Sequence, residues 1–111
     1  MVTGDRRLKQ SWRDVIAAPD TELYVSGVIA FEFTELLQRR RLPIDETISD
    51  LVSRFDLIVE PFPAGCWEKL AELPPIHRDP VDRMLVAHAL TEARELMTAD
   101  ANIQRYPVAC V

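Results

Sequence analysis

The chain has 111 residues, 48% of them hydrophobic and 28% charged, with a formal net charge of −5. That length suits one domain, and the balance is that of a folded protein with a core rather than a disordered or collagen-like chain. The acidic charge argues against a binder that holds nucleic acid chiefly by phosphate neutralisation, although an enzyme that touches nucleic acid briefly fits it.

No apolar run approaches the ~20 residues of a membrane span. The opening, MVTGDRRLKQSWRD, carries no secretory apolar stretch, which makes a cytoplasmic address the default and a membrane partner unexpected. Cys66 and Cys110 have no CxxC or Cys/His partner, and His77 and His88 are the only histidines, so a zinc site is not expected. Both thiols read as buried or idle in a reducing compartment.

Along the chain, residues 6–17 space Leu8, Trp12, Val15 and Ile16 as a helix ending before Pro19. Residues 22–26 are β-prone and lead into a helix over 28–40, with Ile29, Phe33, Leu36 and Leu37 on one stripe. A further helix is expected over 45–54, turning Ile48, Leu51 and Val52 inward. A strand over 55–60 comes next, stopped by Pro61, and then a short helix over 64–72 around Trp67 and Leu70. The clearest helix covers 79–94, with Asp79 suited to the N-cap, Pro80 to the first helical position and Asp82 to the third. Residues 95–98 and 108–111 read as strands. The eight prolines fall between these segments or, at Pro80, on the first position of one. Helices alternating with short strands imply an α/β domain with a mainly parallel sheet.

Ligands of open parallel sheets gather outside the carboxyl ends of the strands. Glu32, Asp82 and Asp100 stand near such ends, and converging carboxylates suit Mg²⁺ or Mn²⁺, which prefer oxygen ligands. Each also has a structural alternative. Glu32 fits a solvated helix charge, Asp82 a carboxylate complementing the helix dipole, and Asp100 the cap of the DANIQRY turn. His88 reads as a core or edge histidine, and Trp12 and Trp67 as core residues. Arg39, Arg40 and Arg41 form the one basic cluster, with a solvated helix end as the first reading and RNA contact as the second.

Three segments together resemble a known family. YVSGVIAFEFTELLQRRRL is similar to the strand, serine, then glutamate-bearing helix of PIN-domain ribonucleases of the VapC-like toxin group. LPPIHRDPVDRMLVAHAL resembles the LP-hydrophobic-HRDP-x-DR-hydrophobic-A segment of one VapC-like subgroup. ELMTADANIQRYPVACV resembles that group's strand, Thr, x, Asp, RY turn and last strand. TGDRRL with its helix and APDTELYVS extend the likeness, which runs from Asp5 to Val111.

The resemblance implies a three-layer fold, a parallel sheet flanked by helices, in a single domain over residues 1–111. It implies a Mg²⁺- or Mn²⁺-dependent endoribonuclease, the toxin of a type II toxin–antitoxin module. Such a toxin is held by a VapB-like antitoxin and is dimeric. By position, Glu32, Asp82 and Asp100 match the catalytic and metal-binding acids. Ser26 and Thr98 match the hydroxyl residues beside them, and Asp79 the first aspartate of the DP-x-D pair.

The family's opening strand, which ends in an aspartate, has no match here. VTGDRRL resembles the family segment immediately after that strand, and Asp5 belongs to the GD-x-R-L turn. In the family that strand is central. The expectation is therefore an incomplete sheet with unpaired backbone on its neighbours, marginal or completed by a partner strand, and a site with three carboxylates. The competing function is then a catalytically impaired PIN domain that docks an antitoxin or another protein.

Overall fold

The computed structural model describes residues 10–98 and 100–110. Its chain order is α1 (Gln10–Ala17), β1 (Tyr24–Ser26), α2 (Gly27–Gln38), α3 (Ile48–Phe55), β2 (Ile58–Glu60), α4 (Cys66–Glu72), α5 (Pro80–Glu92) and α6 (Ala101–Gln104). The chain divides into two compact units. One is Glu22–Phe62; the other comprises the described residues through Thr21 and from Pro63 onward.

The unit Glu22–Phe62 holds β1, α2, α3 and β2. Its two strands pair in parallel, Tyr24 with Ile58, Val25 with Val59 and Ser26 with Glu60, as expected of a strand–helix–strand crossover. Strand and helix meet without a loop at Ser26, whose Oγ accepts from the backbone N–H of Val28 at 3.3 Å and so caps α2. The stripe read from the sequence places Ile29 in full burial. Phe33, Leu36 and Leu37 are half-buried, and Phe31, off the stripe, is 67% exposed.

α3 begins at a reciprocal cap. The Thr47 hydroxyl accepts from Asp50 N–H at 3.2 Å, while the Asp50 carboxylate accepts from Thr47 N–H at 2.9 Å. The helix stops at Asp56, in the left-handed region with φ 55°. The strand expected over 55–60 is accordingly shortened to Ile58–Glu60.

In the other unit α5 is the central element. Leu85, Val86, Ala87, His88 and Ala89 are buried in succession, so this helix is covered nearly all round rather than on one stripe. It packs chiefly on α4 and also meets α6. Cys66, Leu73, Leu96, Ile103 and Tyr106 complete the core. The Cys66 thiol donates to Thr91 Oγ1 at 3.3 Å, and that hydroxyl donates to the Ala87 carbonyl at 2.8 Å. The histidine expected in the core, His88, is there, 3% exposed.

Two expectations need correction. Trp67 is 58% exposed rather than in the core. It comes directly after the buried Cys66 on a seven-residue helix, and one helical step turns it away from the face that Cys66 buries. The strands expected over 95–98 and 108–111 are reduced, among the described residues, to one parallel bridge between Leu96 and Cys110. Leu96 N–H donates to the Ala109 carbonyl at 2.8 Å across it, and Pro107 can donate nothing to extend it. The Cys66 thiol is buried and that of Cys110 exposed. Residues 6–9, the side chain of Trp12 and Val111 fall outside the described residues. No described helix is long and apolar enough to cross a membrane.

Candidate metal centre

Asp79 is the N-cap of α5. Its Oδ1 accepts from Val81 N–H at 2.9 Å and Asp82 N–H at 3.4 Å, and Pro80 occupies the first helical position. With its own carboxylate engaged by the helix end, Asp79 sets the first turn from which Asp82 projects.

Asp100 is built the same way on a shorter scaffold. Its Oδ1 accepts from Asn102 N–H at 2.8 Å and Ile103 N–H at 3.3 Å, capping α6. Its own N–H donates to Thr98 Oγ1 at 3.1 Å. Thr98 is 2% exposed, and its carbonyl accepts from the Gln104 side chain at 3.2 Å, so the turn carrying Asp100 is fixed on both sides. The cap read as the alternative for Asp100 is therefore real, yet it uses one carboxylate oxygen and leaves the other for the site.

Those remaining oxygens converge on a residue to which the sequence alone assigns no role. His77 Nε2 lies 3.1 Å from Asp82 Oδ2 and 3.1 Å from Asp100 Oδ2. The ring is oriented from behind, because Asp79 N–H donates to His77 Nδ1 at 3.1 Å. The backbone is anchored too, since His77 N–H donates to the hydroxyl of the buried Tyr106 at 2.8 Å. The signal was present in HRDP, which sets His77 two residues before a helix-capping aspartate. It became legible only once the fold brought Asp100 and Tyr106 to the same place.

The two carboxylates differ electrostatically. Burial, then the neighbouring Asp79 charge and more weakly Asp100, raise the pKa of Asp82 above its ordinary value, and the proximity of His77 only partly offsets them. At Asp100 burial also opposes ionisation. Hydrogen bonds from His77, Asn102 and Ile103 outweigh it and hold its pKa below the ordinary value. Ionisation is thus favoured at Asp100 and disfavoured at Asp82.

One ligand atom from each of His77, Asp82 and Asp100 lies within 4.8 Å of the other two, the one such group among the described residues. A carboxylate pair within that distance suits a hard divalent cation, which prefers oxygen ligands. The donor set fits Mg²⁺ or Mn²⁺.

The remaining candidates belong to the other unit. Ser26 and Glu32 belong to the unit Glu22–Phe62, Ser26 buried as the cap of α2 and Glu32 on the exposed side of that helix. Arg39, Arg40 and Arg41 are exposed at the end of α2. Arg39 is paired with Glu35 at 3.2 Å, the helix-end arrangement that was the first reading of the cluster.

One unit is a parallel strand–helix–strand, and in the other Asp82 and the helix-capping Asp100 converge on His77, which marks an α/β protein with a candidate metal centre. The sequence profile of the PIN domain matches residues 1–109, and the chain belongs to that family, whose members are generally nucleases. No individual curated protein and no solved structure gives a significant match.

Proposed function

We propose that this chain is a Mg²⁺- or Mn²⁺-dependent endoribonuclease, the toxin of a VapC-type toxin–antitoxin module acting in the cytoplasm. We take its partners to be a VapB-like antitoxin and a second copy of the chain. The observation that carries the catalytic part is the approach of Asp82 and Asp100 oxygens to one point, 3.1 Å from His77 Nε2. The toxin role and the partners rest on the three-segment resemblance.

When bound, the cation supplies the Lewis acidity that activates water and offsets charge developing on a phosphodiester. The chain's own contribution is placement. Asp79 and Thr98 fix the turns that present the two carboxylates, so little reorganisation is needed when RNA arrives. Asp100 offers a settled negative charge, and Asp82 a charge that burial and its neighbours disfavour, which an entering cation relieves. The resemblance adds Glu32 as a further essential carboxylate.

Purified protein should cleave structured RNA only with Mn²⁺ or Mg²⁺ present. Asp82→Asn and Asp100→Asn should each reduce the rate at least about 100-fold, and Glu32→Gln should do likewise. Cleavage that survives Asp82→Asn would contradict the site. Antitoxin co-purification with no Mn²⁺ binding would favour the impaired binding module instead.

A further inference from the structure

His77 stands where a cation would help, and its ring has only one way to sit there. Asp79 N–H donates to Nδ1, so Nδ1 contributes its lone pair and the ring proton is on Nε2. Nε2–H therefore donates to Asp100 Oδ2 at 3.1 Å, and Asp82 Oδ2 lies at the same distance from Nε2 as an ion-pair contact. A histidine that ligates a metal through Nε2 must offer a lone pair there and carry its proton on Nδ1. In that tautomer, Nδ1–H would face the Asp79 N–H, donor against donor.

We propose that His77 is a positioning residue that stands in for the divalent cation, and not one of its ligands. Its Nε2, bonded to Asp100 and 3.1 Å from Asp82, occupies the space between the two carboxylates and is displaced when the ion enters. This inference rests on the metal-centre reading above. The backbone of His77 stays anchored through its N–H to the Tyr106 hydroxyl, so displacement is a movement of the ring alone. The arrangement has two consequences. The carboxylates are kept together before the ion arrives, and the ion must compete with a donor already in place, which weakens its apparent affinity.

The variant that separates these roles is His77→Asn. Its amide oxygen can still accept from Asp79 N–H, which preserves the turn, while nothing reaches the Nε2 position. Mn²⁺ binding, followed at one fixed pH by the electron paramagnetic resonance signal of the free ion, should tighten about tenfold, the ratio that one charge-assisted hydrogen bond represents. Weaker binding in His77→Asn would mark His77 as a ligand and overturn the proposal. Nitrogen-15 spectra of the imidazole in the wild-type chain give an answer that needs no variant. The Nε2–H tautomer is expected with chelator and again with saturating Mg²⁺, and an Nδ1–H tautomer in either state overturns the proposal. Failure of the underlying reading looks different: Asp82→Asn and Asp100→Asn would then bind Mn²⁺ as the wild-type chain does.

Discussion

Asp79 and Asp82 share one helical turn and do different things, because the cap consumes one carboxylate and the helix merely carries the other. The pKa directions give this a measurable form. Asp82 is raised in the folded chain from an ordinary value of 3.8, so its ionisation opposes folding at neutral pH. Asp82→Asn should therefore melt higher than wild type in metal-free buffer at pH 7. That advantage should close as pH falls through the folded-state pKa and be gone below the unfolded one. Asp100 has the opposite sign. Its lowered pKa stabilises the fold above 3.8, and that contribution is lost as pH falls through the folded value. Thermal melts of both Asn variants in chelator across the acid range check the two signs. Asp82 and Asp100 were legible as candidates from their places near strand ends. His77 was not, because its importance depends on a contact across 23 residues with Asp100 and on a hydroxyl supplied by Tyr106.

The helices show why their starts were easier to read than their ends. Asp79, Asp100 and Thr47 each carry a side-chain oxygen that caps a helix, a chemistry visible in the residue type. The ends of α2, α3 and α5 instead turn through Arg40, Asp56 and Ala93, all non-glycine residues with positive φ. A chain with three glycines hides its helix stops, so the strand after α3 was expected too early and α2 too late. Two tests belong at this scale. Asp79→Ala should cost about 1 kcal/mol through loss of the α5 cap, while Asp79→Asn should be close to neutral. Ala93→Gly, at φ 54°, should stabilise the fold by about 0.5–1 kcal/mol, because glycine enters the left-handed region without a Cβ clash. Denaturant titrations report both. A lower midpoint for Ala93→Gly would count against this account of the α5 end.

For the molecule as a whole, the acidic charge and the nuclease reading agree once part of that charge is assigned to a cation site. Metal that binds only the folded chain should raise its stability by about 2.7 kcal/mol at a hundredfold excess over Kd, and chelator should remove the gain. If Arg40 and Arg41 contact RNA, each alanine substitution should weaken binding across sequences and lower the salt slope by about 1. An unchanged slope would return the cluster to its helix-end role. The α/β class and the parallel pairing of β1 with β2 could be expected from the alternation of segments. The near absence of pairing around Leu96 could not, since strand propensity in 95–98 says nothing about whether a partner continues past Pro107. The most direct test of the central claim is Mn²⁺ binding measured side by side for the wild-type chain, Asp82→Asn and Asp100→Asn at pH 7. Saturable binding in the wild-type chain, lost or weakened at least about 100-fold in each variant, is the predicted result. Equal binding in all three would contradict the account.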